Sequence, residues 1–194
     1  MRQYLIFIPN LLSLVRIILA YPILLYFYIE EYLVSLGLFL IAALTDALDG
    51  FLARTFNWRT DLGKVLDPIA DKILVAAALI LLVMNGTIKN YEVIAAIIIL
   101  TREILISGLR EFLAKGQIKL PVSNLAKLKT FLQMFSIALL LTGETGNKLI
   151  NFQDYNAQTI GMILLWLSAF LTLYTGYDYL RKGIDHAISE DNKN

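Results

Sequence analysis

The amino-acid sequence predicts an all-α integral membrane protein, with six transmembrane helices around a polar cavity open to the cytoplasmic side. Three observations carry this prediction. Of the 194 residues, 58% are hydrophobic and only 17% charged, whereas a soluble domain is about half apolar and about a quarter charged. The mean hydropathy is +0.65. A chain of this size forms one domain, here residues 1–194, and its core cannot hide so much apolar surface. Six apolar stretches follow one another, at 10–29, 33–53, 66–84, 92–113, 124–142 and 158–180. Each is near the roughly 20 residues that a helix needs to cross a bilayer. Lastly, the Lys and Arg residues of the intervening segments segregate to one side.

Taken in order, the first stretch ends at Glu30-Glu31 and the second at the polar segment 54–64. The third ends at Asn85-Gly86, the fourth at 115–123 and the fifth at GETGNKLINFQDYN. Arg2, Arg54, Arg59, Lys64, Lys115, Lys119, Arg181, Lys182 and Lys193 fall on one side, and only Lys89 and Lys148 on the other. Both termini and the 54–64 and 115–123 segments are therefore expected in the cytoplasm, with the chain in the inner cell membrane. The first stretch runs on through ILAYPILLYFYIEE without a small-residue cleavage site, which argues against a cleaved signal peptide. A net charge of +1 gives no long-range attraction to nucleic acid.

Composition narrows the chemistry. The chain has no cysteine, and its single histidine, His186, lies near the polar C-terminus. Thiolate nucleophiles and histidine or cysteine metal sites are excluded. Carboxylates, Lys, Arg and hydroxyls remain. On the expected topology, the polar residues within the spans cluster toward the cytoplasmic side. Asn10 and Arg16 fall in the first helix, Asp46 and Asp49 near the end of the second, and Asp67, Asp71 and Lys72 at the start of the third. Arg110 ends the fourth helix, Lys127 and Lys129 begin the fifth, and Asp178 ends the sixth. Arg102 and Glu103 fall near mid-membrane, where an unpaired charge costs several kcal/mol, so these groups must face each other or water. Some cations at helix ends can simply snorkel, but the short aspartate side chains cannot reach far.

Residues 46–71 read DALDGFLARTFNWRTDLGKVLDPIAD. Asp46 and Asp49 are three apart and Asp67 and Asp71 four apart, so each pair lies on one helix face. Asp67-Pro68 reads as an N-cap followed by proline at the first helical position. Four carboxylates held close would take up protons unless cations neutralise them, and all-oxygen donors select hard divalent ions such as Mg²⁺ or Mn²⁺. Two ions in one carboxylate cluster suit phosphoryl chemistry. Gly50 and Ala53, being small, allow close approach of a ligand, or equally close packing of helices. The planar fork of Arg54 suits a phosphate. Gly63 is expected to free the loop to turn back into the third helix.

Asp46, Asp49, Gly50, Ala53, Arg54, Gly63, Asp67 and Asp71 together match D-x-x-D-G-x-x-A-R-(eight)-G-x-x-x-D-x-x-x-D. On that signature the chain resembles the CDP-alcohol phosphatidyltransferases. The resemblance implies a six-helix fold, usually dimeric, and a two-metal site on the four aspartates with Asp71 as general base. It also implies that Gly50, Ala53 and Arg54 help hold the CDP moiety; Asn10 and Gly63 are placed with them. IPNLLSLVRI at 8–17, TREILISGLREFLA at 101–114 and LAKLKTFLQM at 125–134 resemble bacterial members of the family that use glycerol 3-phosphate. Arg102, Arg110, Lys127 and Lys129 are accordingly expected to surround the acceptor's phosphate. The implied reaction joins CDP-diacylglycerol to sn-glycerol 3-phosphate and releases CMP. Inositol phosphate would need the same positive charge, and serine or phosphatidylglycerol are acceptors of sister enzymes. A transporter with intramembrane carboxylates is disfavoured, because the carboxylates cluster near one face and Pro22 and Pro68 occupy no corresponding positions of two halves. No role is assigned from sequence to Arg16, Lys72 or Glu103.

Overall fold

The computed structural model describes residues 8–56, 60–115, 123–152 and 155–191. Arg2, Arg59, Lys119 and Lys193, which contribute to the expected orientation, lie outside the described residues. So do the side chains of Ala53, Arg54, Lys64, Lys115, Asp178 and Lys182. The described elements are α1 (Ile8–Tyr28), α2 (Tyr32–Thr55), α3 (Asp61–Met84), a 3₁₀ turn (Asn90–Glu92), α4 (Val93–Lys115), α5 (Asn124–Leu141) and α6 (Gly143–Leu149). A two-residue hairpin, β1 (Asn151–Phe152) with β2 (Tyr155–Asn156), leads into α7 (Ala157–Asp191). The six long helices coincide closely with the six apolar stretches. The expected turn region after α5 also holds the short α6 and the hairpin, paired Asn151 to Asn156 and Phe152 to Tyr155.

Four helices contain segments long and apolar enough to cross a membrane: Asn10–Tyr28, Tyr32–Phe51, Asn124–Leu141 and Ala157–Arg181. The other two long helices carry more charge, with Asp67, Asp71 and Lys72 in α3 and Arg102, Glu103 and Arg110 in α4. α7 has 35 residues, about 50 Å of helix, more than the roughly 30 Å of a hydrocarbon core.

The chain divides into two units: residues 1–88 with 137–161, and residues 89–136 with 162–194. In the first, α1 packs along both α2 and α3, while α2 and α3 touch each other only sparsely. Its core is built from Ile23, Phe27, Phe39, Leu74, Leu79 and Leu82, each 1% exposed or less. In the second, Ile99 and Ile106 of α4 and Leu165 and Ala169 of α7 are buried. Outside these cores, large aliphatic side chains such as Leu14, Ile18, Leu44 and Ile104 are exposed. An exterior so widely apolar is compatible with lipid contact.

Turn chemistry places the ends of the helices. α1 closes with Glu30 N–H donating to Phe27 O and Glu31 N–H to Tyr26 O, 3.1 and 2.9 Å. These are the paired bonds of a Schellman motif. Glu30, at φ 67°, takes the left-handed position that glycine usually fills. α3 starts earlier than the sequence suggests. Thr60, not Asp67, is its N-cap: Gly63 N–H donates to Thr60 Oγ1 at 2.9 Å. Pro68 therefore lies inside the helix. The Thr hydroxyl satisfies an orphan amide of the first turn, which lets the helix begin about two turns before the proline. Gly63 is helical as well, so its role is not to turn a loop.

Candidate active site

The first unit carries the four aspartates. Asp46 and Asp49 sit in the second half of α2, and Asp67 lies at the end of the second turn of α3 with Asp71 one turn later. Because α1 is the helix that packs on both, its side chains reach both sets. Arg16 is 1% exposed. Its Nη1 donates to Asp46 Oδ1 at 2.5 Å, and its Nη2 donates to Asp49 Oδ2. Asp49 is buried, whereas the Asp46 side chain is 49% exposed. One turn earlier on α1, the buried Ser13 Oγ donates to Asp67 Oδ1 at 2.5 Å. Asp71 is half-buried. Lys72 Nζ donates to the Pro68 carbonyl at 2.9 Å, so that cation is turned along its own helix. Among the described residues, no three carboxylates close into a group able to hold a metal ion. Two carboxylate pairs thus flank α1, with a guanidinium bound to one pair and a hydroxyl to one member of the other.

One turn before Ser13 lies Asn10, 6% exposed. Thr60 Oγ1 donates to Asn10 Oδ1 at 2.6 Å, linking α1 to the cap of α3. A Cβ on Gly63 would stand 2.8 Å from Asn10 Oδ1 and 3.1 Å from Thr60 Oγ1. Glycine is thus required by close approach. Asn10 Nδ2 is buried without a hydrogen-bond partner among the described residues, which leaves an amide donor beside the start of α3. Gly50 is half-buried on α2, between Asp49 and the helix end.

The second unit carries the four cations expected at the acceptor. Lys129 Nζ donates to Glu103 Oε1, and Arg102 Nη1 shares that oxygen at 3.4 Å. Arg102 Nη2 donates to Thr175 Oγ1 at 3.0 Å. The arginine lies along Gly176, where a Cβ would stand 3.2 Å from its Cγ. Tyr179 is buried with Arg110 Cζ 4.7 Å and Arg102 Cζ 5.9 Å from its ring centroid. Both distances are within cation–π range. Lys127 is exposed, as is Arg110. The four cations therefore divide into a buried pair organised by Glu103 and an exposed pair. Arg102 and Glu103 do face each other, and Lys129 completes their partnership.

Sequence reasoning missed Ser13, Thr60, Thr175 and Tyr179, and left Arg16 and Glu103 without partners. A signal for the α1 residues was present: Asn10, Ser13 and Arg16 recur every three residues in an otherwise apolar helix, and so share a face.

Comparison with known proteins agrees with the signature. A family model described as CDP-alcohol phosphatidyltransferase matches residues 6–174. The chain is 46% identical over 177 residues to a protein of Rickettsia typhi, covering 90% of this chain and 95% of that one. It is 37% identical to a protein of Haemophilus influenzae, covering 90% and 91%. It is 32% identical to a protein of Cereibacter sphaeroides, covering 94% and 98%. All three relatives bear the name CDP-diacylglycerol–glycerol-3-phosphate 3-phosphatidyltransferase.

Proposed function

The chain belongs to the CDP-alcohol phosphatidyltransferase family, and from that premise we propose that it transfers the phosphatidyl group of CDP-diacylglycerol to sn-glycerol 3-phosphate. The products are phosphatidylglycerophosphate and CMP, which makes it a transferase of phospholipid synthesis. The observation that carries the reading is the set of aspartates on α2 and α3, reached by polar side chains of the helix between them. The names of relatives at up to 46% identity support the acceptor.

Asp46, Asp49, Asp67 and Asp71 would hold two divalent ions, Mg²⁺ or Mn²⁺. Their donors fit: all are oxygens, the set hard cations take, and one pair already stabilises a cationic group. Bound there, the ions supply charge neutralisation for the diphosphate and the leaving nucleotide. Asn10, Gly50, Ala53, Arg54 and Gly63 receive the CDP end of the lipid; the Asn10 amide, buried without a protein partner among the described residues, supports its part. Asp71 takes the proton of the acceptor's primary hydroxyl while that oxygen bonds to the lipid-bearing phosphorus. The phosphorus–oxygen bond to CMP breaks in the same step. Arg110 and Lys127 bind the acceptor's phosphate through charge-assisted contacts, with Arg102 and Lys129 fixed by Glu103 adding to the positive field.

In this reading all six long helices cross the inner membrane as one domain, with both termini and the polar cavity on the cytoplasmic side. The enzyme acts as a homodimer, as the family resemblance implies. The test is CMP release by purified protein from CDP-diacylglycerol and glycerol 3-phosphate. Chelation abolishes it, Mg²⁺ or Mn²⁺ restores it, and Asp46→Ala and Asp67→Ala are inactive. Full turnover in excess chelator contradicts the metal assignment.

A further inference from the structure

We infer that Ser13 and Arg16 are positioning residues for the metal-binding carboxylates, fixing the orientation in which Asp46, Asp49 and Asp67 meet a divalent ion. The inference rests on the metal-dependent reading above and deepens it. α1 is an apolar helix that could pack with apolar side chains on every face. Instead its buried face carries Asn10, Ser13 and Arg16 at intervals of three, at 6%, 0% and 1% exposure. A fully buried arginine is costly unless its charge and donors are used, and hydrophobic replacement of such pairs is often neutral or stabilising. Packing alone does not account for it.

The contacts give the alternative. The guanidinium is a rigid planar fork, and here it spans two carboxylates one helical turn apart, one nitrogen on one oxygen of each. That arrangement ties one oxygen of each carboxylate to the same rigid group. Such fixing is needed most at Asp46, whose side chain is 49% exposed and so little constrained by packing. Ser13, one turn back on the same face, does the same for Asp67 on α3 through a single hydroxyl. Carboxylates from two helices that hardly touch are thereby indexed to one rigid helix between them. Outer partners that hold a ligating group in this way are typically worth about 10–100-fold in metal affinity.

A different account makes Arg16 only a counter-charge, and the two accounts predict opposite signs. The test is Mn²⁺ titration of the purified full-length protein in detergent, with free Mn²⁺ read by electron paramagnetic resonance. If the fork positions the carboxylates, Arg16→Lys, which keeps the charge and loses the fork, weakens Mn²⁺ binding about 10–100-fold. Ser13→Ala weakens it similarly, although it changes no charge. If Arg16 is only a counter-charge, Arg16→Lys binds like wild type and Arg16→Met binds more tightly, which overturns the inference. Helical circular dichroism in chelator checks that each variant is folded, and Ser13→Ala decides the matter where an Arg16 variant is not. Asp46→Asn and Asp67→Asn in the same titration separate the two layers of the argument. If they bind Mn²⁺ like wild type, the metal reading itself fails. If they lose Mn²⁺ while Arg16→Lys and Ser13→Ala keep it, only the positioning role fails.

Discussion

Glu103 is the most exacting place to perturb the second unit, because one carboxylate serves two buried cations. Its Oε1 accepts from Lys129 and lies 3.4 Å from Arg102 Nη1. The Lys129 and Arg102 side chains are 4% and 10% exposed. Glu103→Leu removes the shared anion and leaves both cations in place. Breaking a buried pair from one side costs about 3–5 kcal/mol, or roughly two to three and a half orders of magnitude in the folding equilibrium. Lys129→Met is the milder change, since Glu103 keeps Arg102; about 1–3 kcal/mol is expected, the cost of one charge-assisted bond. In the double variant the lysine charge is gone as well, so it should be more stable than Glu103→Leu alone. The assay is reversible unfolding in mixed micelles on titration with sodium dodecyl sulfate, followed by the helical circular dichroism. Two results would refute the reasoning: a Glu103→Leu cost below about 1 kcal/mol, or a double variant whose cost equals the sum of the singles.

Asp71→Asn should lower turnover by about 10²–10⁴-fold, the usual worth of a general base, while CDP-lipid affinity measured beside it stays near wild type; turnover within a few-fold of wild type would remove Asp71 from that role. Arg110→Ala and Lys127→Ala should raise the KM for glycerol 3-phosphate roughly ten- to a hundred-fold, from about 1.5–3 kcal/mol per charge-assisted contact, and leave the KM for CDP-diacylglycerol nearly unchanged. Equal loss for both substrates would assign these residues to the fold instead. Gly63→Ala gains about 0.5–1 kcal/mol of helix propensity but drives a methyl to within 2.8 Å of Asn10 Oδ1. Thermal stability should therefore change little, while kcat/KM for the CDP-lipid falls at least about tenfold; unchanged kinetics would make Gly63 a packing residue only.

Much of this was legible in the sequence because long apolar helices and paired carboxylates on one helix face both leave regular marks. The six long helices and the two aspartate faces follow from apolar length and from spacings of three and four. The start of α3 was misread because proline at a first helical turn and proline inside a helix look alike, and the deciding interaction is local. Thr60 Oγ1 caps Gly63 N–H, and a threonine three residues before a glycine is not distinctive. Arg16 was visible as a charge in an apolar helix, but its partners lie 30 and 33 residues away, on a helix that only tertiary packing brings alongside. The same holds for Arg102 and Thr175, 73 residues apart. Lys129 is likewise held by Glu103, 26 residues away on α4, a partner that sequence spacing does not announce.

The central claim is the identity of the reaction, and a panel of acceptors tests it most directly. Purified protein with labelled CDP-diacylglycerol and Mg²⁺ or Mn²⁺ is offered glycerol 3-phosphate, glycerol, inositol phosphate, serine and phosphatidylglycerol separately, with CMP and the lipid product both identified. The account predicts rapid CMP release and a phosphatidylglycerophosphate product with glycerol 3-phosphate, and poor use of plain glycerol, which lacks the phosphate. Efficient formation of a phosphatidylinositol phosphate, phosphatidylserine or cardiolipin instead would contradict it and move the chain to a sister activity of the family.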